Sequence, residues 1–145
     1  MSTPRGIRNN NPGNIRFNSA NDWDGQIGKD SSGFAKFSGA TLGIRALGKL
    51  LRNYQRLHGL ITIQQIISRW APPVNDDGEF ENNTDAYIEH AALALQTSPA
   101  APINLNDGVT LAAMVRAIIQ HENGPVWEKF INDRTVQDGV NLALA

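Results

Sequence analysis

Glu122 stands where a carboxylate needs a reason. Leu111, Val115, Ile118, Ile119 and Glu122 recur at the three- and four-residue spacing of one helical face, so the acid continues an apolar stripe directed at the core. Asn123-Gly124-Pro125 then stops the helix: Gly124 is free to take the left-handed terminal conformation and Pro125 cannot continue the hydrogen-bond ladder. Glu122 is therefore expected in the last turn. There the negative end of the helix dipole and the apolar flank both disfavour the ionised form and raise the carboxyl pKa, which suits a general acid. The bland alternative is a Glu122 that turns to solvent or pairs with Arg116.

A second group of polar residues lies far away in the chain. Asn9-Asn10-Asn11-Pro12-Gly13-Asn14 reads as a type II turn, with Pro12 fixing the first central position and Gly13 supplying the positive φ. Asparagine amides carry donors and acceptors together, which suits sugar hydroxyls and N-acetyl groups; asparagine is also simply a good turn residue.

Positioning these residues takes one domain, and 145 residues with 41% hydrophobic and 19% charged content suffice for a real core. The absence of cysteine excludes disulfides and thiolate metal sites. The dispersed His58, His90 and His121 have no metal-ligand spacing, so neither metal nor cofactor is expected. No apolar run has the length of a membrane span, and the polar opening lacks the core of a secretory signal. The net charge of −1 hides an asymmetry: through His58 there are nine Lys/Arg against three Asp/Glu, and after it four against eleven. The basic residues are scattered singly and no nucleic-acid motif is present, so a solvated surface is expected rather than a nucleic-acid partner.

Ile15-Arg16-Phe17, residues 23–27 and Phe34-Ala35-Lys36-Phe37 are short and aromatic-punctuated, as in a small irregular β-lobe. From Thr41 a helix carries Ile44, Leu47, Leu50, Leu51 and Tyr54 on one face and ends at Gly59. Thr62 and Gln65 make a capping box for a helix that Pro72-Pro73 stops after Trp70, a residue read as a core plug. An acidic loop over 74–83 does not match a calcium-binding pattern, and Asn83 caps a helix with Tyr87, Ile88, Ala91 and Leu95 on its apolar face. Two short helices over 125–131 and 135–144 close the chain, the last with Thr135 as its cap.

The stretches Arg5-Gly6-Ile7-Arg8-Asn9-Asn10-Asn11-Pro12-Gly13-Asn14-Ile15-Arg16, Gly33-Phe34-Ala35-Lys36-Phe37 and Gly43-Ile44-Arg45-Ala46-Leu47 resemble small phage and prophage proteins, often labelled virion proteins, some of which look like cell-wall lysins. His121-Glu122-Asn123-Gly124 is similar to the catalytic glutamate helix end of lytic transglycosylases and of bacterial N-acetylglucosaminidases, both lysozyme-like. In those families the acidic helix comes first, followed by an Asn-rich glycine turn, an aromatic segment, a Gly-x-x-x-Leu helix and a Tyr-bearing helix. Here it comes last. The resemblance implies a mainly α (α+β) lysozyme-like domain with a small N-terminal β-lobe, circularly permuted, in which 83–88 is the Tyr-bearing element.

It further implies cleavage of the β-1,4 link between N-acetylmuramic acid and N-acetylglucosamine, with Glu122 as general acid and then base. Tyr87 would hydrogen-bond near the scissile sugar, and Asn11, Asn14, Phe34 and Phe37 would line sugar subsites. On the residues alone, Tyr87, Phe34 and Phe37 read equally well as core. His121 would at most tune Glu122. Asp24, Asp30, Glu81 and Asp85 are candidates for the second carboxylate that hydrolysis needs, and none carries a family motif; transglycosylation needs none, so the expectation tilts toward a transglycosylase. The expected partners are peptidoglycan strands and other phage virion proteins, reached from the host cytoplasm through a virion, a holin or another export route, without membrane insertion. The rival readings are a non-enzymatic virion or wall-binding module on the same fold, an amidase or endopeptidase of the wall peptide, and, last, a nucleic-acid-binding protein.

Overall fold

The computed structural model describes residues 3–145. A one-turn helix α1 (Arg5–Arg8) leads into the asparagine-rich turn, and strands β1 (Gln26–Lys29) and β2 (Ala35–Phe37) pair antiparallel, with Gln26 opposite Phe37 and Lys29 opposite Ala35. Ile15-Arg16-Phe17 adds only a bridge from Arg16 to Phe34. The helical body follows: α2 (Ala40–His58), α3 (Ile63–Trp70), α4 (Thr84–Leu95), α5 (Gly108–Asn123), a 3-10 turn (Pro125–Lys129) and α6 (Asp133–Leu144). The domain is mainly helical with one small two-stranded sheet, as the sequence patterns imply.

Local chemistry fixes most of the boundaries. Gly59 ends α2 in the left-handed conformation, and Thr62 and Gln65 close a reciprocal capping box on α3. The Asn83 side chain accepts from the Ala86 N–H at the start of α4. Two expectations shift. The 125–131 helix is a 3-10 turn, and α6 starts at Asp133 because Asn132, rather than Thr135, is its cap, its side chain accepting from the Thr135 N–H.

Helices α2 and α6 pack most extensively, and small residues let them close: a Cβ on Gly139 would come within 2.5 Å of Ile44 Cγ2. Helix α5 contacts α1, α2, α4, α6 and the 3-10 turn. Its Leu111, Met114, Val115, Ile118 and Ile119 are fully buried, each removing on the order of 2 kcal/mol of apolar side chain from water. The core is therefore built around the helix that carries Glu122.

The asparagine-rich turn is present with different chemistry from that expected. Asn14 N donates to Asn11 O at 2.9 Å, but the positive φ values fall on Asn10 (52°) and Asn14 (51°) rather than on Gly13. Asparagine is among the few residues that tolerate this region. Gly13 packs tightly on α2, since a Cβ there would lie 3.1 Å from the Leu47 side chain and push it by a few tenths of an ångström. Gly43 on α2 is needed for space, because a Cβ on it would overlap the Asn10 carbonyl.

Three amides fasten the turn. Asn11 Nδ2 donates to Ile15 O and Ala35 O, both at 2.9 Å, while its Oδ1 accepts from Ile15 N at 3.0 Å. Asn10 Nδ2 donates to Phe37 O at 3.2 Å, joining the turn to β2. Asn123 Nδ2 donates to Pro12 O at 2.7 Å and to Ile119 O at 2.9 Å, joining it to the end of α5. Asn11→Ala would leave three buried backbone groups without these partners and should destabilise the protein by roughly 3 kcal/mol or more. Urea unfolding measures this; a loss below about 1 kcal/mol would show that the turn is held by packing instead.

Candidate active site

Glu122 is partly buried in the last turn of α5, and three elements converge on it. Gly124 takes φ 76°, ψ 171°, a glycine-only conformation different from the left-handed cap expected, and ends the helix there. From the turn, Asn14 Nδ2 donates to Glu122 Oε1 at 3.0 Å. From α4, Tyr87 Oη donates to Glu122 Oε2 at 3.1 Å. From the end of α3, Trp70 Nε1 donates to Tyr87 Oη at 3.1 Å. Each oxygen of the carboxylate is thus held by one donor, and one of those donors is itself held.

Burial pushes the Glu122 carboxyl pKa above its ordinary value, and it outweighs the hydrogen bonds from Asn14 and Tyr87 and the charge of Arg5, all of which favour the ionised form. The Tyr87 hydroxyl is pushed up as well, first by burial and then by the neighbouring carboxylate, so it remains a donor at physiological pH. His121 stacks on the Tyr87 ring, with centroids 3.6 Å apart. Burial and the nearby His90 push its imidazole pKa down, favouring the neutral form.

Glu122 faces a cleft of about 520 Å³. It is lined by residues 13–18 and Phe34, by Leu50 and Tyr54 of α2, and by Trp70, Ala71, Glu81 and Asn82. A larger groove of about 770 Å³ runs along α4 and α5 past His90 and Arg116 without reaching the Glu122 side chain. The smaller cleft is the better candidate because it contains the carboxylate with the raised pKa.

The expected site residues separate into three groups. Glu122, Asn14 and Phe34 line the cleft. Tyr87 is beside Glu122 but wholly enclosed, so the sugar contact expected of it is corrected to a hold on the carboxylate. Asn11 and Phe37 are removed from the substrate-contact set: Asn11 is fully buried with its amide engaged by backbone, and Phe37 is a core residue at 1% exposure. Of the four candidate second carboxylates only Glu81 lines the cleft, 3.7 Å from Arg16. Asp30 organises a turn by accepting from Asn9, Ser32 and Phe34, Asp24 pairs with Arg45, and Asp85 lies in the first turn of α4.

Two further residues contribute to the site in ways their local sequence does not announce. Trp70, expected as a core plug, does pack against the core but is only partly buried, and it also lines the cleft and holds Tyr87. Asn123, the residue after Glu122, is buried and docks the turn that supplies Asn14. Nothing in its local sequence marks that role.

These features define a mainly helical domain with a sequestered carboxyl group in an open cleft. No family model matches the chain. Over 123 residues it is 40% identical to Protein P5 of Pseudoalteromonas phage PM2, an alignment that covers 83% of this chain and 71% of that protein. The chain belongs to the family of that phage protein.

Because the folded-state pKa of Glu122 lies above its unfolded value, the native state binds the extra proton, and stability falls as pH rises from the unfolded value through the folded one. Glu122→Gln removes this penalty. The stability of the variant relative to wild type should therefore increase across that window and level off above it, as followed by urea unfolding from pH 3 to 8 on the order of one unit per step. Parallel curves would contradict a raised pKa.

Proposed function

We propose that the protein degrades peptidoglycan by cleaving the β-1,4 bond between N-acetylmuramic acid and N-acetylglucosamine, with Glu122 as general acid and then base. The observation that carries this reading is the Glu122 carboxyl itself, pushed towards the protonated form by burial while facing a cleft and held by Asn14 and Tyr87. A protonated carboxyl can give its proton to the departing glycosidic oxygen, and the resulting carboxylate can accept one from the incoming nucleophile. Tyr87 and Asn14, donating to opposite oxygens, fix the carboxyl plane and stabilise the carboxylate that forms.

The fold reading proposed with it is a lysozyme-like domain in circularly permuted order. Its support is the convergence on one cleft of the turn bearing Asn14, the aromatic segment at Phe34 and the last turn of α5, with Tyr87 of α4 behind the carboxylate. Kinship with a phage protein fits delivery to the wall by a virion or by lysis, and possible partners among virion proteins.

Two chemical routes remain within this reading. If the base accepts a proton from the muramic acid C6 hydroxyl, the product is a 1,6-anhydro sugar and no second carboxylate is required. Hydrolysis is favoured by one observation, the presence of Glu81 in the same cleft. Purified peptidoglycan incubated with wild type should release soluble muropeptides, and Glu122→Gln, checked for folding, should lower the rate by at least about 10²-fold because glutamine cannot donate the acid proton. Mass analysis assigns the route: anhydro ends indicate transglycosylation, reducing ends hydrolysis. No product from any wall type would overturn the enzyme reading in favour of a non-enzymatic virion component.

A further inference from the structure

The cleft edge carries two arginines on one aromatic ring. The Arg5 guanidinium carbon lies 4.2 Å from the Phe34 ring centroid and that of Arg16 lies 4.6 Å from it. The two cations are thus within about 9 Å of each other, comparable to the screening length in physiological salt. Phe34 and Arg16 line the cleft, and Arg5 is close enough to act on the Glu122 carboxyl.

Their charges are poorly matched within the chain. Arg16 meets Glu81 only at 3.7 Å, with the Arg16 side chain well exposed and that of Glu81 partly so, a geometry that contributes little. Arg5 takes part in none of the four ion pairs among the described residues. Asp30, the acid whose carboxyl Arg5 also influences, already accepts from Asn9, Ser32 and Phe34. Stacking on a ring leaves the in-plane N–H donors of a guanidinium available, and their fork matches a carboxylate. Two such forks beside a cleft form a site for an anion.

The sugar backbone of the glycan offers hydroxyl and acetamido groups, whereas the peptide attached to the lactyl group of N-acetylmuramic acid carries free carboxylates. Resting on the peptidoglycan reading above, we propose that Arg5 and Arg16, held on Phe34, bind a carboxylate of the peptide stem, so that the cleft selects glycan whose stem peptides carry free carboxylates over glycan whose stem carboxylates are amidated. The arginines thereby set the substrate class and the register in which a strand lies across Glu122.

The test separates binding from cleavage. Uncross-linked, peptide-bearing glycan strands, with their stem carboxylates free or amidated, are titrated by fluorescence anisotropy into Glu122→Gln protein with and without the further changes Arg5→Gln and Arg16→Gln. The same four combinations of strand and arginine state are assayed for KM with Glu122 intact. Both arginines reach the surface, and circular dichroism checks that the variants fold. The expected result is about tenfold tighter binding of the strands with free carboxylates, weakening with salt, and near parity once both arginines are replaced. Equal binding of the two strands by the protein with both arginines, or a preference that survives their replacement, overturns the proposal. Cleavage without a preference would overturn it and leave the glycosidase reading standing; a preference without any cleavage would sustain the carboxylate site and remove the glycosidase reading.

Discussion

The structure depends on keeping one carboxyl group out of water without burying it completely. Glu122 continues the apolar stripe of α5 at the end of the helix where unsatisfied carbonyls already concentrate negative charge. Such a position is tolerable only if donors meet both oxygens, and Asn14 and Tyr87 do so. Their hydrogen bonds favour the ionised form, desolvation favours the neutral one, and desolvation prevails. A group balanced in this way exchanges a proton more readily than a glutamate held firmly in either state.

Much of the architecture serves that balance from a distance. The turn supplying Asn14 is attached to β2 through Asn10 and Asn11 and to α5 through Asn123, while the lack of side chains at Gly13 and Gly43 lets it approach α2. Tyr87 is fixed by Trp70 on one side and by stacking with His121 on the other. Helices α3, α4 and α5 are therefore connected by side chains whose common end point is a single carboxyl group. The same cleft also carries two guanidiniums gathered on Phe34.

The sequence revealed the parts governed by local rules. Helical periodicity exposed α2 and α5, and the caps at Thr62, Asn83 and Gly59 lie where side-chain chemistry requires them. Glu122 was legible because an acid in an apolar stripe conflicts with that periodicity. The roles of its neighbours were harder to read, since they depend on contacts between distant segments: Asn14 and Glu122 are separated by 108 positions, and Asn123 and Pro12 by 111. Composition could not distinguish Asn11, which holds the backbone, from Asn14, which holds the carboxylate, because both are asparagines in one turn. The second role of Trp70, beyond packing against the core, is hidden for a similar reason, as an apolar helix end says nothing about the hydroxyl that its indole meets. The 3-10 turn and the early start of α6 are boundary effects of Pro125 and Asn132.

The central claim, that Glu122 is held towards its neutral form in the folded protein, is tested most directly by titrating its side-chain carboxyl carbon by NMR, with Glu122→Gln used to assign the resonance. The account predicts a midpoint clearly above the ordinary glutamate value of about 4.3, and a reversible transition over which the fold persists. A midpoint at or below that value would mean that the hydrogen bonds from Asn14 and Tyr87 outweigh burial, leaving a carboxylate that cannot serve as the acid.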